Sequence, residues 1–130
     1  MTAPAAEPPK VQPGEKFTGL DKLRRRREFD AVYSSGLRVA GRQFALFILP
    51  NTLGHSRLGM TLGRRIGNAV LRNRTRRRLR EIFRRQCAEL GCFDIVIHAR
   101  PGIAQCGVVE LEGEFLSGIA RFRKKWKNGR

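Results

Sequence analysis

The chain has 130 residues, enough for one domain with short extensions and too few for two domains. Its net charge of +16 favours nucleic acid as the partner, ahead of an anionic membrane surface. The longest unbroken apolar run, residues 44–49, is far shorter than the ~20 residues of a membrane-spanning helix, and the N-terminus lacks a secretory signal pattern. The 3 cysteines lack the paired spacing of a disulfide framework or zinc site, which fits a cytoplasmic protein.

Residues 1–19 are rich in proline and alanine and are predicted to be a disordered extension. Folded structure is predicted from residue 20, where Phe29, Val32 and Tyr33 have the spacing of a short helix that ends at Gly36. Residues 37–39, 43–49 and 57–62 have strand patterns, and we expect an antiparallel meander from them. Residues 93–98 predict a fourth strand, and residues 109–126 predict a last helix.

An arginine-rich amphipathic helix is predicted between the third and fourth strands. Asn68 can cap it, and the pattern continues from Ala69 to Leu90. A turn of ~100° per residue separates an apolar arc from a cationic one. The apolar arc holds Leu71, Thr75, Leu79, Ile82, Phe83, Gln86 and Leu90, and the opposite arc holds Asn73, Arg77, Arg80, Glu81 and Arg84. Because Glu81 is the only acid between residues 64 and 85, a polyanion-binding face is favoured over a merely solvated one.

The element order α-β-β-β-α-β-α predicts an α+β fold, a two-layer α/β sandwich with a four-stranded mixed sheet. The third strand, the arginine-rich helix and the fourth strand would form a crossover unit. The general rule makes such units right-handed.

Residues 63–70, Gly-Arg-Arg-Ile-Gly-Asn-Ala-Val, lead into Arg72-Asn73-Arg74. This stretch resembles the signature of the bacterial ribonuclease P protein subunit. The likeness continues through residues 27–33, 36, 41–44, 93–97 and 100–101, so that it covers about residues 20 to 125. One departure is Gly63, where the family pattern has a serine or another small polar residue.

The resemblance implies a fold like that of ribosomal protein S5 domain 2, with a left-handed β-α-β crossover in place of the general right-handed one. Composition and charge predict one folded domain, residues 20–126, followed by a basic tail at 127–130, and the resemblance implies that this α/β domain binds RNA. The function implied is that of the protein component of a ribonucleoprotein that removes the 5′ leader from precursor tRNA. The partners would be the catalytic RNA and precursor tRNA, with no stable protein partner. The RNA subunit would perform the hydrolysis with Mg²⁺, and the protein alone would bind no cofactor.

Two sets of site residues follow from the resemblance. The set expected to bind the RNA subunit is Arg64, Arg65, Asn68, Arg72, Asn73, Arg74, Arg76 and Arg77. The set expected to bind the leader, in a cleft between the first helix and the sheet, is Arg24, Arg25, Arg26, Arg27, Phe29, Tyr33, Arg42 and Phe47, with Arg38 as an additional candidate. Base stacking on aromatic rings suits unpaired RNA, although core packing alone would also explain these aromatics.

Arg72 falls near the apolar arc, where its guanidinium must extend outward or meet an anion. Asn73 suits a base edge, a ribose hydroxyl or a metal-bound water, and equally an ordinary surface amide. His55 and His98 belong to no catalytic motif, and no carboxylate cluster suggests a metal site in the protein. We therefore predict no protein active site.

Two alternative functions remain open at the level of sequence, and so does the role of the C-terminal basic residues. A ribosomal or RNA-chaperone protein would have similar charge without supporting cleavage, and a DNA-binding protein could place the arginine-rich helix in a major groove. The basic residues 121–130 could contact RNA or only improve solubility.

Overall fold

The computed structural model describes residues 22–129, without the side chains of residues 87–89, 128 and 129. The predicted disordered extension, residues 1–19, lies outside the described residues. The helices are α1 (Arg26–Ser35), α2 (Ala69–Leu90) and α3 (Val108–Gly129), and the strands are β1 (Leu37–Ala40), β2 (Phe44–Pro50), β3 (Arg57–Thr61) and β4 (Phe93–Ala99). The predicted element order is confirmed. α3 continues past its predicted end at residue 126, so the predicted tail is helical as far as Gly129.

The four strands form one mixed sheet in the order β1-β2-β4-β3. β2 pairs antiparallel with both β1 and β4, whereas β3 pairs parallel with β4. The predicted antiparallel meander is therefore wrong for β3, which does not pair with β2. β4 lies between β2 and β3. Its side chains from Asp94 to Ile97 are all buried, so this strand needs a neighbouring strand at each edge and packing against both of its faces. The long helix α2 carries the chain back so that β3 and β4 can run parallel.

Local sequence signals define both ends of α2, whose limits and Asn68 cap are as predicted. The Oδ1 atom of Asn68 accepts a hydrogen bond of 3.0 Å from the backbone N–H of Leu71. Just before it, Gly67 has a φ of 145°, and a Cβ there would lie 2.6 Å from the Cδ1 atom of Leu71. The helix ends at Gly91, whose φ of 97° also suits glycine.

The main core lies between the sheet and the pair α2 and α3, which together make the two layers of the predicted sandwich. Successive strand residues point to opposite faces. Ile95 and Ile97 of β4 face this core, whereas Val96 faces α1 on the other side of the sheet. There a smaller cluster holds Leu23, Val32 and Val96, with Phe29, Tyr33, Phe47 and Leu49 half-buried against it.

No helix in the described part of the chain is long and apolar enough to cross a membrane. The amphipathic patterns of the sequence instead match helices that pack on a sheet.

Candidate nucleic-acid interface

Tyr33 and Phe47 form an aromatic pair on the α1 side of the sheet. Their ring centroids are 4.6 Å apart in an edge-to-face arrangement, with an interplanar angle of 70°. The hydroxyl of Tyr33 lies 2.9 Å from the Oγ1 atom of Thr61 on β3 and 3.1 Å from the Nδ1 atom of His98 on β4. Tyr33 is thus fixed from both ends, by packing and by hydrogen bonds.

This pair lines an open cavity of about 390 Å³ beside α1. The full lining is Tyr33, Arg38, Ala45, Phe47, His98, Ala99, Arg100 and Pro101. The guanidinium carbon of Arg38 lies 5.9 Å from the centre of the Phe47 ring, within cation–π range. The cavity therefore combines aromatic walls with cationic groups, the combination that binds single-stranded nucleic acid. Arg38, only an additional candidate from sequence, belongs to this cavity.

His98 and Arg100 also line the cavity, although neither was predicted as a site residue. The alternation of β4 places His98 on the same face as Val96 and the α1 cluster. This alternation could have predicted which face of the sheet His98 lies on. It could not have shown that Ala45 lies directly opposite His98, because the register of β2 and β4 was not readable from sequence.

Phe29 does not line this cavity. It packs on the edge strand β3 over Gly59, where a Cβ would lie 2.7 Å from the Cζ atom of the Phe29 ring. A second pocket, of about 160 Å³, opens there. Its lining residues are Lys22, Leu23, Phe29, Leu58, Gly59, Met60, Arg76 and Arg80. The structure thus separates Phe29 from Tyr33 and Phe47 within the predicted aromatic cleft, although one apolar cluster connects all three.

The arginines predicted to flank the cleft are exposed. Arg24 and Arg25 precede α1, and Arg26 and Arg27 begin it. The Oε1 atom of Glu28 accepts hydrogen bonds from the backbone N–H groups of Arg24 (2.8 Å) and Arg25 (2.9 Å). Arg42 lies in the turn between β1 and β2, and Glu114 of α3 holds the next two backbone N–H groups of this turn. Glu28 and Glu114 therefore hold in place the backbone segments that carry these arginines.

The predicted RNA-subunit residues divide by exposure. Those exposed are Arg64, Arg65, Asn68, Asn73 and Arg77, and those half-buried are Arg72, Arg74 and Arg76. Arg72 is half-buried, and its Nη1 atom donates to the carbonyl oxygen of Gly67 at 2.7 Å, so a backbone carbonyl receives one of its N–H groups. Arg76 donates to the Oδ1 atom of Asn73 at 3.0 Å. Arg74 points toward the turn before α3, where its Nη2 atom lies 3.5 Å from the carbonyl oxygen of Ala104.

Among the described residues, carboxylates compensate the positive charge of α2 toward its C-terminal end. Arg84 donates to Glu81 at 2.6 Å, and this hydrogen bond is the main cause that lowers the Glu81 pKa. Arg85 lies 3.5 Å from Glu81 and 3.0 Å from Glu112 of α3. Among ion pairs within residues 22–129, none involves an arginine between positions 64 and 80. The uncompensated charge is thus concentrated on the turn before α2 and on its N-terminal half.

The described residues contain no cluster of three or more His, Cys, Asp or Glu side chains able to hold a metal ion. The ring of His98 is engaged with the hydroxyl of Tyr33. These two surfaces present positively charged side chains and aromatic rings to a ligand.

Comparisons with known proteins agree on one family. Residues 17–123 match the family model described as Ribonuclease P. A ribonuclease P protein component from Streptococcus pneumoniae is 31% identical over 109 residues, which cover 83% of this chain and 88% of that protein.

Solved structures give the same result. The RNase P protein of Staphylococcus aureus superposes with a TM-score of 0.72 at 28% identity, covering 77% of this chain and 93% of the other. The RNase P protein of Thermotoga maritima superposes with a TM-score of 0.70 at 30% identity, covering 77% and 96%.

Proposed function

The chain belongs to the ribonuclease P protein family, and on that premise we propose that it assembles with a catalytic RNA and helps that RNA remove the 5′ leader from precursor tRNA. Two surfaces perform two tasks in this proposal. The exposed cations before and along α2 bind the RNA subunit. The cavity beside α1 binds the single-stranded leader.

The placement of these surfaces carries the proposal. α2 packs on one face of the sheet, and the cavity of Tyr33 and Phe47 opens on the other face. A protein with cationic surfaces on opposite sides of a sheet can contact two RNA strands at once. That geometry suits a subunit positioned between an RNA enzyme and its substrate better than it suits a single-site RNA-binding protein.

The α2 surface has the charge required for folded RNA. Its N-terminal half has no carboxylate to neutralise it among the described residues, so backbone phosphates would relieve the repulsion between neighbouring arginines. Arg77, together with Arg64 and Arg65 in the turn before α2, is exposed for this contact. Bidentate arginine contacts to phosphate would add geometric selectivity.

The cavity suits the leader because base stacking on aromatic rings requires unpaired nucleotides. Tyr33 and Phe47 would stack with bases, and Arg38 and Arg100 would contact phosphates. Phe29, at the β3 edge with Arg76 and Arg80, would extend the track toward the α2 surface. The leader set would thus reach from the cavity to the pocket at β3.

Hydrolysis is assigned to the RNA subunit, with Mg²⁺ held by the ribonucleoprotein. The protein residues in this proposal bind and position RNA and transfer no proton. Maturation of bacterial tRNA takes place in the cytoplasm, where we expect the protein to act.

The test is cleavage of precursor tRNA at low Mg²⁺ by a bacterial ribonuclease P RNA, with and without this protein, beside the protein alone. We expect stimulation only when RNA and protein are both present. Tight RNA binding without stimulation would favour a ribosomal or RNA-chaperone role, and cleavage by the protein alone would mean that the protein has its own active site. Duplex DNA should compete poorly at matched salt if the α2 surface is built for folded RNA.

A further inference from the structure

The cavity beside α1 contains one polar ring that the proposed function leaves without a role. His98 is exposed on β4 and lines the cavity with Tyr33 and Phe47. Its Nδ1 atom is engaged with the Tyr33 hydroxyl at 3.1 Å. Nε2 is thus the ring nitrogen that remains available to a ligand, and it has no partner among the described residues.

The hydrogen bonds around Tyr33 determine what Nε2 can do. The Thr61 hydroxyl, the Tyr33 hydroxyl and the His98 ring form a chain with separations of 2.9 and 3.1 Å. The phenol is the more acidic of the two hydroxyls, and an unprotonated imidazole nitrogen is the strongest acceptor of the three groups. The favoured arrangement therefore has Thr61 donating to Tyr33 and Tyr33 donating to Nδ1, since hydrogen bonds aligned in one direction strengthen one another. In a neutral ring the proton then resides on Nε2.

The other groups of the cavity do not distinguish one base from another. Stacking on Tyr33 and Phe47 tolerates every base. Contacts from Arg38 and Arg100 to phosphates fix position without distinguishing bases. A single fixed N–H donor is different, because it requires an acceptor at one place on the base edge.

We propose that His98, held by Tyr33, donates a hydrogen bond from Nε2 to an unprotonated ring nitrogen of a leader base, and so makes the cavity selective among leaders. On the Watson–Crick edge, cytosine and adenine present such a nitrogen, whereas uracil and guanine present an N–H donor. His98 is a specificity-determining residue in this account, and the inference rests on the proposed binding of the leader in the cavity.

Two pyrimidines provide the cleanest comparison, since cytosine and uracil are similar in size. The experiment measures the affinity of the reconstituted holoenzyme for three RNAs under conditions that block cleavage: a precursor with an oligocytidine leader, one with an oligouridine leader of equal length, and mature tRNA. We expect the wild type to bind the cytidine leader about fivefold more tightly than the uridine leader, as one hydrogen bond provides. His98→Phe keeps an aromatic ring and removes the donor, so it should make the two affinities equal while both remain tighter than that for mature tRNA.

His55→Phe is the matched control, because it removes the other histidine of the chain from a loop outside the cavity. It should keep the preference for cytidine. Ring nitrogen chemical shifts of the full-length free protein should show the proton on Nε2 of His98, and Tyr33→Phe should shift the balance toward Nδ1.

Three results would overturn the inference: equal wild-type affinities for the two leaders, a preference that survives in His98→Phe, or a proton on Nδ1. If the wild type bound the precursor no more tightly than mature tRNA, the proposed binding of the leader would itself be refuted, and the inference with it. The two failures are therefore distinguishable.

Discussion

Arg57 and Asp94 are joined by two hydrogen bonds, from Nε to Oδ1 at 2.9 Å and from Nη2 to Oδ2 at 2.7 Å. The remaining Nη1 atom of Arg57 donates to the Oε2 atom of Glu28 at 3.0 Å. Asn51 completes the group by donating to Oδ1 of Asp94 at 2.8 Å. Because Glu28 also holds the backbone of Arg24, this network fixes the start of α1 and its arginines against β3 and β4.

Removal of Arg57 should be strongly destabilising. The Asp94 side chain is only 9% exposed, so Arg57→Met would leave a carboxylate buried without its main partner. We expect a loss of about 3 kcal/mol in the free energy of unfolding, measured by urea denaturation. Arg26→Met is the matched control, because that side chain is 95% exposed and its nearest carboxylate oxygen is 4.0 Å away. It should change stability by less than about 0.5 kcal/mol, and an equal loss in both variants would contradict the role of the network.

Glu28 should make stability depend on pH in acid. Hydrogen bonds from the backbone N–H groups of Arg25 and Arg24, and then from Arg57, lower its pKa from 4.5 to about 2. A carboxyl group whose pKa is lowered on folding contributes stability that is complete above its unfolded pKa and is lost as the pH falls through the folded pKa. The window is therefore from pH 4.5 down to about 2.

The corresponding variant is Glu28→Gln. At pH 7 it should be less stable than the wild type by about 1–2 kcal/mol, a range that allows for solvent screening of a partly exposed group. The gap should narrow as the pH falls below 4.5 and nearly close at about 2, the folded pKa. Denaturation at a series of pH values measures this difference directly. A gap that stays constant over the window would show that the charge of Glu28 is unimportant.

Gly59 is required for space rather than for backbone freedom. A Cβ at this position would lie 2.7 and 2.8 Å from two atoms of the Phe29 ring and 3.1 Å from Cβ of Leu23. Gly59→Ala should displace Phe29 and cost about 1–3 kcal/mol of stability. Gly113→Ala is the control, because Gly113 lies in α3 with nothing within 4 Å of an added Cβ, and it should stabilise by about 0.5–1 kcal/mol. Thermal unfolding that ranks the two variants in the opposite order would refute the close packing of Phe29 on β3.

Phe29→Ala tests whether the aromatic at the β3 edge contacts the leader. Loss of a stacking ring should weaken binding of precursor tRNA about tenfold and leave binding of mature tRNA unchanged. Equilibrium binding to the holoenzyme, with the variant shown to be folded, measures both. Equal weakening for the two RNAs would mean that Phe29 has only a packing role.

Local signals in the sequence predicted the helices and strands well. The Asn68 cap and the apolar spacing gave α2 its observed limits, Ala69–Leu90. The pairing of strands could not be predicted in the same way, because β3 alternates like the edge of a hairpin with β2. Its true neighbour, β4, comes after a helix of 22 residues, and only tertiary packing selects that partner.

The candidate site was predictable by residue type more than by arrangement. Phe47 lies on the face opposite Phe44, as the alternation of side chains along the predicted strand 43–49 requires. Helical angles alone could not show that Arg74 turns toward Ala104, because the turn that provides this carbonyl is distant in sequence. His98 was missed for the same reason, since its contact with Tyr33 joins residues 65 positions apart.

The central claim is that the α2 surface binds the RNA subunit and the cavity beside α1 binds the leader. Its most direct test uses one variant on each surface. Phe47→Ala alters the cavity and Arg77→Ala alters the exposed face of α2. For each variant, one titration measures assembly with the RNA subunit, and a second, at saturating protein, measures the ratio of affinities for precursor and mature tRNA. We predict that Phe47→Ala lowers the ratio and leaves assembly unchanged, whereas Arg77→Ala weakens assembly and leaves the ratio unchanged. If both variants changed both quantities to the same extent, the division of tasks between the two surfaces would be contradicted.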